Sequence, residues 1–347
     1  MELGIGDRGS GIGGARIRYI SHLSGEAMKR ITLFVACFIL GTSVLAQRPS
    51  DPALLVPEAA PELDYVFVPN AITLPAGSKM GAAAAVAFDA RGHIYVLTRG
   101  AQAFFEFDPN GAFVRSFGDG MFTRSHGLKI DRDGNLWATD VGAHTVVKLN
   151  PAGQVLLTIG TKGEAGEWNE AAGSRKLNQP NDIAIAANGD VFIAQGHTPG
   201  AKGDARVLKF DKDGRFITSW GGKGKDPGQF DVAHGITIDP KGLLWVMDRE
   251  NSRIQVFDSN GKFVREQKYK GLPCSVSFTR DDAFMVNGFT GQLLRLDASG
   301  KVLAAMGKPG TAPGEFGEAH FVAVSPRGDV YVADSVNGQL MKFVQKK

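Results

Sequence analysis

Cysteine is scarce in this chain: Cys37 and Cys274 are the two among 347 residues. A disulfide framework is therefore excluded, and the fold has to rest on a packed core. Charge of one sign is lacking too. Lys and Arg number 39 against 36 Asp and Glu, a formal net charge of +3, which leaves no field strong enough to make nucleic acid or an anionic membrane the main partner. Long apolar runs are missing with one exception, residues 31–40. Lys29 and Arg30 precede that run and small residues follow it up to Ala46, the layout of a secretory signal peptide cleaved after Ala46. The run is too short for a permanent membrane span, and too few apolar residues precede Cys37 for a lipoprotein site. The mature protein is expected to be periplasmic or secreted, with no membrane association after cleavage and Cys274 as its one thiol. Residues 1–27, glycine-rich and without pattern, read as a disordered or non-native upstream extension. Residues 47–63 read as a linker to one domain, 64–347.

Glycine, by contrast, is abundant, with 45 residues, and it falls in D-x-x-G and N-G settings that mark tight hairpin turns. One unit recurs between these turns: four short alternating strands beginning with an apolar anchor. The anchors are Val86, Leu128, Ile183, Ile236, Val276 and Val322, roughly 40 to 55 residues apart, the spacing of four-stranded propeller blades. The fold class is therefore all-β, a six-bladed β-propeller. The last unit ends at Phe343 with room for three strands, and the alternating segment 64–69 is expected to supply the fourth and close the ring, since an open edge invites aggregation. Longer connections at 161–179, 223–230 and 308–316 are expected to crowd one face and shape the channel mouth. A two-domain reading needs a mid-chain linker, and the repeats leave no room for one.

Equivalent registers of the units lie at one height in the channel. Two residues before the anchors stand Ala84, His126, Asn181, His234, Cys274 and His320, so histidine marks every second blade. Alternate blades of six lie about 120° apart, and three imidazoles plus an open position make a catalytic zinc arrangement. The rival reading is three histidines that cap strands or bond backbone carbonyls. Arg99 and Arg249 follow the second strands of the first and fourth units, where two guanidiniums suit a small-molecule or peptide substrate bearing a carboxylate. Asp248 and Glu250 flank Arg249 and offer it a salt bridge instead, and Arg206 reads as structural.

The repeats resemble NHL-type propellers. The stretches SHGLKIDRDGNLWATDVGAHTVVK and GQFDVAHGITIDPKGLLWVMDRENSRIQVF resemble the peptidyl-α-hydroxyglycine α-amidating lyase family over about residues 65–343. That resemblance implies zinc on His126, His234 and His320, active-site roles for Arg99 and Arg249, and calcium on the backbone carbonyls of Val86 and Leu128. It implies a carbon–nitrogen lyase that releases an amide and glyoxylate. Three positions depart from the family. Phe321 replaces an aspartate that serves the calcium, Glu318 replaces a methionine, and His197, after Gln195-Gly196, occupies the loop of the family's tyrosine, where it could act as the base. The alternative is a non-catalytic propeller that binds a protein, peptide or glycan on its loop face, because fold does not fix function. A lactonase-type propeller would need carboxylate ligands in the channel, where this register offers histidines.

Overall fold

The computed structural model describes residues 48–199 and 204–347. The signal segment 28–46 and the extension 1–27 lie outside the described residues. Six sheets of four antiparallel strands form the blades, five of them from strands consecutive in the chain. The first blade runs Ala83–Phe88, Ile94–Thr98, Phe104–Phe107 and Phe113–Phe117. The sixth consists of Ala319–Val324, Val330–Asp334 and Gln339–Gln345, completed by Tyr65–Val68 with Tyr65 opposite Gln345 and Val68 opposite Lys342. The expected closing strand is thus in place. It unites the ends of the folded region and covers an edge that would otherwise pair with other chains.

Aspartate turns set the hairpins. In the second blade the Asp131 carboxylate accepts the amides of Asp133 (3.0 Å) and Asn135 (2.8 Å), Gly134 takes the left-handed φ of 81° that closes the turn, and the Trp137 indole donates to the same carboxylate at 3.0 Å. Asp239, Gly242 and Trp245 repeat this in the fourth blade. Inner strands are buried along most of their length, and their large side chains, Phe104, Phe192, Trp245 and Phe343 among them, fill the space between neighbouring blades. Phe230 and Phe316, which end two of the long connections, are fully buried plugs. Part of the expected linker is fixed: the Leu63 amide donates to Ala305 O at 2.9 Å, and Glu58 exchanges hydrogen bonds with the Gln292 side chain, so this segment is anchored on the fifth blade.

One irregularity positions the site. The first strand of every blade shifts register against the second, at Ala83/Ala85, Ser125/Leu128, Pro180/Asp182, Ala233/Gly235, Pro273/Ser275 and Ala319/Phe321. Each shift leaves one of Ala84, His126, Asn181, His234, Cys274 and His320 without a ladder partner. A bulge re-aims the side chain of its extra residue, and here the same bulge recurs six times around one axis.

Candidate metal and active site

His126, His234 and His320 converge, with ring centroids 4.6, 4.6 and 5.1 Å apart, and all three are fully buried. Each Nδ1 is tied to the next blade at the same register. The partners are Asn181 O at 2.8 Å, Cys274 O at 3.0 Å and Ala84 O at 2.6 Å. A backbone carbonyl can only accept, so Nδ1 carries the proton and the lone pair sits on Nε2 in each ring. The glycine after two of these histidines permits that approach. A Cβ at Gly127 would lie 2.7 Å from Asn181 O, and one at Gly235 would lie 2.4 Å from Cys274 O. His320 is followed by Phe321, which packs in a cluster with Ala83 and Ala85 of the first blade.

Burial, with repulsion from the neighbouring imidazoles and guanidiniums, holds the four channel histidines well below their usual pKa, so they are neutral ligands or acceptors. Nε2 of His126 and of His234 is buried with no hydrogen-bond partner. Leaving a buried lone pair unmatched is costly, and two aimed at one point fit a Lewis-acidic cation. The cluster can therefore hold a metal, and its donor chemistry, imidazole alone, suits zinc among other ions. His197 joins the set. Its ring centroid is 4.8 Å from that of His126, its Nδ1 is 2.8 Å from Asn181 Oδ1, and ligand atoms of His126, His197 and His234 lie within 4.8 Å of one another. His320 Nε2 instead meets Arg99 Nη2 at 3.3 Å.

Arg99 and Arg249 occupy equivalent places after their second strands, each donating its backbone amide across the blade, to Ala82 O and Val232 O. Their electrostatics differ. Burial and the neighbouring Arg124 and Arg249 bring Arg99 down to about 10, whereas the carboxylate of Glu250, 2.6 Å from Arg249 Nη2, outweighs burial and raises Arg249. The fully buried Glu318 is 4.0 Å from Arg249 and is hydrogen-bonded by Ser335. Cys274 stays a thiol, pushed up to about 12 by burial. Arg206 pairs with Asp204 at 2.7 Å and Glu167 at 3.2 Å, away from this cluster.

Register comparison at the histidine position alone misses Arg124. The signal for it lies two residues earlier, where Ala82, Arg124, Gln179, Val232, Leu272 and Glu318 form the next ring and two of the six are charged. The Asp140 carboxylate fixes it by accepting the amides of Thr123 (2.7 Å) and Arg124 (2.8 Å), and its guanidinium reaches His197 Nε2 at 3.3 Å.

Around Val86 and Leu128, whose backbone carbonyls the resemblance implies as calcium ligands, the chain places Phe321 in the same apolar cluster and Lys129 next to Leu128. Its ammonium is 3.2 Å from Asp182 and 5.5 Å from the centre of the Phe321 ring. Phe321 offers no oxygen, and the second oxygen of Asp182, Oδ1, is buried without a hydrogen-bond partner.

These features define the class: an NHL-repeat β-propeller with a histidine cluster in its channel, and the NHL repeat model matches residues 230–257 and 316–343. The chain is 34% identical over 258 residues to mouse peptidyl-glycine alpha-amidating monooxygenase, covering 68% of this chain and 25% of that protein. It is 29% identical over 361 residues to peptidyl-alpha-hydroxyglycine alpha-amidating lyase 1 of Drosophila melanogaster, covering 86% of this chain and 64% of that one. A gluconolactonase structure from Xanthomonas campestris shares the fold, with a TM-score of 0.57, 18% identity and coverage of 77% of this chain and 87% of that one. The chain is thus a six-bladed propeller with NHL repeats and has homologues named peptidyl-alpha-hydroxyglycine alpha-amidating lyase. It spans about a quarter of the length of the mouse relative, and its similarity to proteins named as lyases supports a lyase-like function. Among the described residues no helix is long and apolar enough to cross a membrane.

Proposed function

We propose that the chain is an exported, zinc-dependent lyase that cleaves a peptide or small acylamine ending in α-hydroxyglycine into the amide and glyoxylate. The observation that carries this reading is the pair of buried, unpartnered Nε2 lone pairs on His126 and His234, beside His320 and under a rim of guanidiniums. His126, His234 and His320 would hold the ion, which when bound supplies Lewis acidity toward the substrate hydroxyl. Arg99 lies where a carboxylate can be oriented, Arg249 stands beside it paired with Glu250, and burial of the cluster excludes water that would compete for the hydroxyl. His197 is the proton acceptor in this reading, a neutral imidazole oriented by Asn181. As the hydroxyl proton leaves, the C–O bond becomes a carbonyl. The C–N bond breaks, its electron pair stays on nitrogen, and that nitrogen takes up a proton to become the amide.

Glyoxylate release from α-hydroxyhippurate, measured together with metal content, tests the proposal. Wild-type protein is expected to turn over, and His234→Ala to lose both the ion and at least about 1000-fold in rate. An unchanged rate in the metal-free variant would remove metal-dependent catalysis.

A further inference from the structure

The rim holds three guanidiniums, Arg99, Arg124 and Arg249, and two carboxylates, Glu250 and Glu318. Glu250 binds Arg249 through both Nε (3.0 Å) and Nη2 (2.6 Å), and Glu318 lies 4.0 Å from Arg249 as well. Arg249 is therefore charge-matched within the protein, whereas Arg99 and Arg124 form no ion pair with a carboxylate among the described residues.

Their hydrogen bonds are also incomplete. Arg124 Nε is buried without any acceptor, and Nη2 leans on the imidazole lone pair of His197 at 3.3 Å. Arg99 donates weakly to Ser125 O at 3.3 Å, and its Nη2 leans on His320 Nε2 at 3.3 Å. The two side chains are neighbours: the carbonyl that Arg99 touches belongs to the residue after Arg124. Once His320 Nε2 serves a metal, Arg99 Nη2 loses its imidazole acceptor. The one carboxylate whose charge reaches them is Glu318, which lies beyond ion-pair distance of both, is closer to Arg249 and is bonded by Ser335. Two adjacent guanidiniums with free donors and no carboxylate in contact form an anion site, and a planar carboxylate is the shape such forks accept.

We propose that Arg124 together with Arg99, rather than Arg249, receives the terminal carboxylate of the ligand, and that Arg124 sets the preference for an acid over its amide. This rests on the lyase reading for the position of the ligand but not for its cleavage.

Isothermal titration of the metal-loaded protein with hippurate and with hippuramide reads the pairing directly, beside KM and kcat for α-hydroxyhippurate. Wild type is expected to bind the acid at least about 10-fold more tightly than the amide. Arg124→Gln is expected to lose that preference, with acid affinity falling about 10- to 100-fold and amide affinity unchanged, and Arg124→Lys to recover part of it. The thermal midpoint and metal content of Arg124→Gln should match wild type, since its side chain is partly exposed and pairs with no carboxylate. Acid binding that is equal in wild type and Arg124→Gln, or absent from both, overturns the proposal even if α-hydroxyhippurate is cleaved. Acid binding that needs Arg124 without any cleavage sustains it and sinks the lyase reading instead.

Discussion

The second, fourth and sixth blades differ from the first, third and fifth in a coordinated way. Even blades place His126, His234 and His320 on the bulge and end the second strand with Asp140, Asp248 and Asp334. Odd blades place Ala84, Asn181 and Cys274 there and end that strand with Thr98, Gln195 and Asn287. On the bulges the even blades carry the imidazoles and the odd blades' carbonyls orient them, while His197 joins the cluster from the third blade, after its second strand. The two sets are therefore complementary halves of one site, with threefold pseudo-symmetry laid over a sixfold ring. A repeat fold can acquire a centre by differentiating alternate copies while every copy keeps the same bulge.

The largest effect that would break this division is at the bulge itself. His126→Ala, His234→Ala and His320→Ala should each abolish metal uptake measured by elemental mass spectrometry, whereas Cys274→Ala, which alters an odd blade and keeps its carbonyl, should retain about one ion per chain. His197→Ala should retain the ion and lose rate. Loss of the ion there with retention in His320→Ala would move the third ligand to His197.

A smaller contrast concerns the second-strand ends. Asp140 accepts the amides of Thr123, Arg124, Gly142 and Ala143, so Asp140→Ala strands several donors and should cost about 3 kcal/mol or more in chemical unfolding. The odd-blade equivalent Thr98 makes hydrogen bonds to Gln102 O and Gly100 N, and Thr98→Val should cost about 1 kcal/mol. Equal costs would contradict a structural difference between the blade types.

Asp248 gives a pH-dependent version. Burial pushes its carboxyl up to about 6, against the hydrogen bonds from Asn251 and Arg253 that favour its charge. The folded state then holds this proton more tightly than the unfolded chain, whose aspartates titrate near 4. The contribution is fully present below about pH 4 and is lost as pH rises through about 6, on the order of 2 kcal/mol. The unfolding free energy of wild type relative to Asp248→Asn should therefore fall across that window. A flat difference would mean that the buried ion pair with Arg253 holds the carboxylate charged throughout. The smallest effect is expected from calcium: millimolar addition should leave the thermal midpoint within about 1 °C, because Lys129 already pairs with one oxygen of Asp182 and Phe321 supplies none. A clear rise would restore the oxygen site at Val86 and Leu128.

Much of this architecture could be read in advance because the repeat supplies its own alignment. The six anchors locate the blades, and the residue two before each anchor is the one the bulge turns inward, so His126, His234 and His320 emerge without a structure. The closing strand at Tyr65–Val68 was legible for the same reason, as a missing fourth element. What stayed hidden depends on backbone groups and on spacing across blades. The carbonyls of Ala84, Asn181 and Cys274 that fix the tautomers have no sequence signature. The neutralisation of Arg249 by Glu250 and the lone guanidinium of Arg124 follow from three-dimensional pairing, although Arg124 stands in a register that a second comparison would have exposed. Glu58–Leu63 lacks alternation and reads as linker, yet its hydrogen bonds to the fifth blade fix it.

Metal stoichiometry of protein purified without a histidine tag tests the central claim most directly. About one zinc ion per chain, lost on His126→Ala, His234→Ala or His320→Ala and kept on Cys274→Ala, is the expected result. Protein that carries no metal and takes up none when zinc is added would contradict a metal centre at the even blades and leave the histidines as hydrogen-bonding struts of the ring.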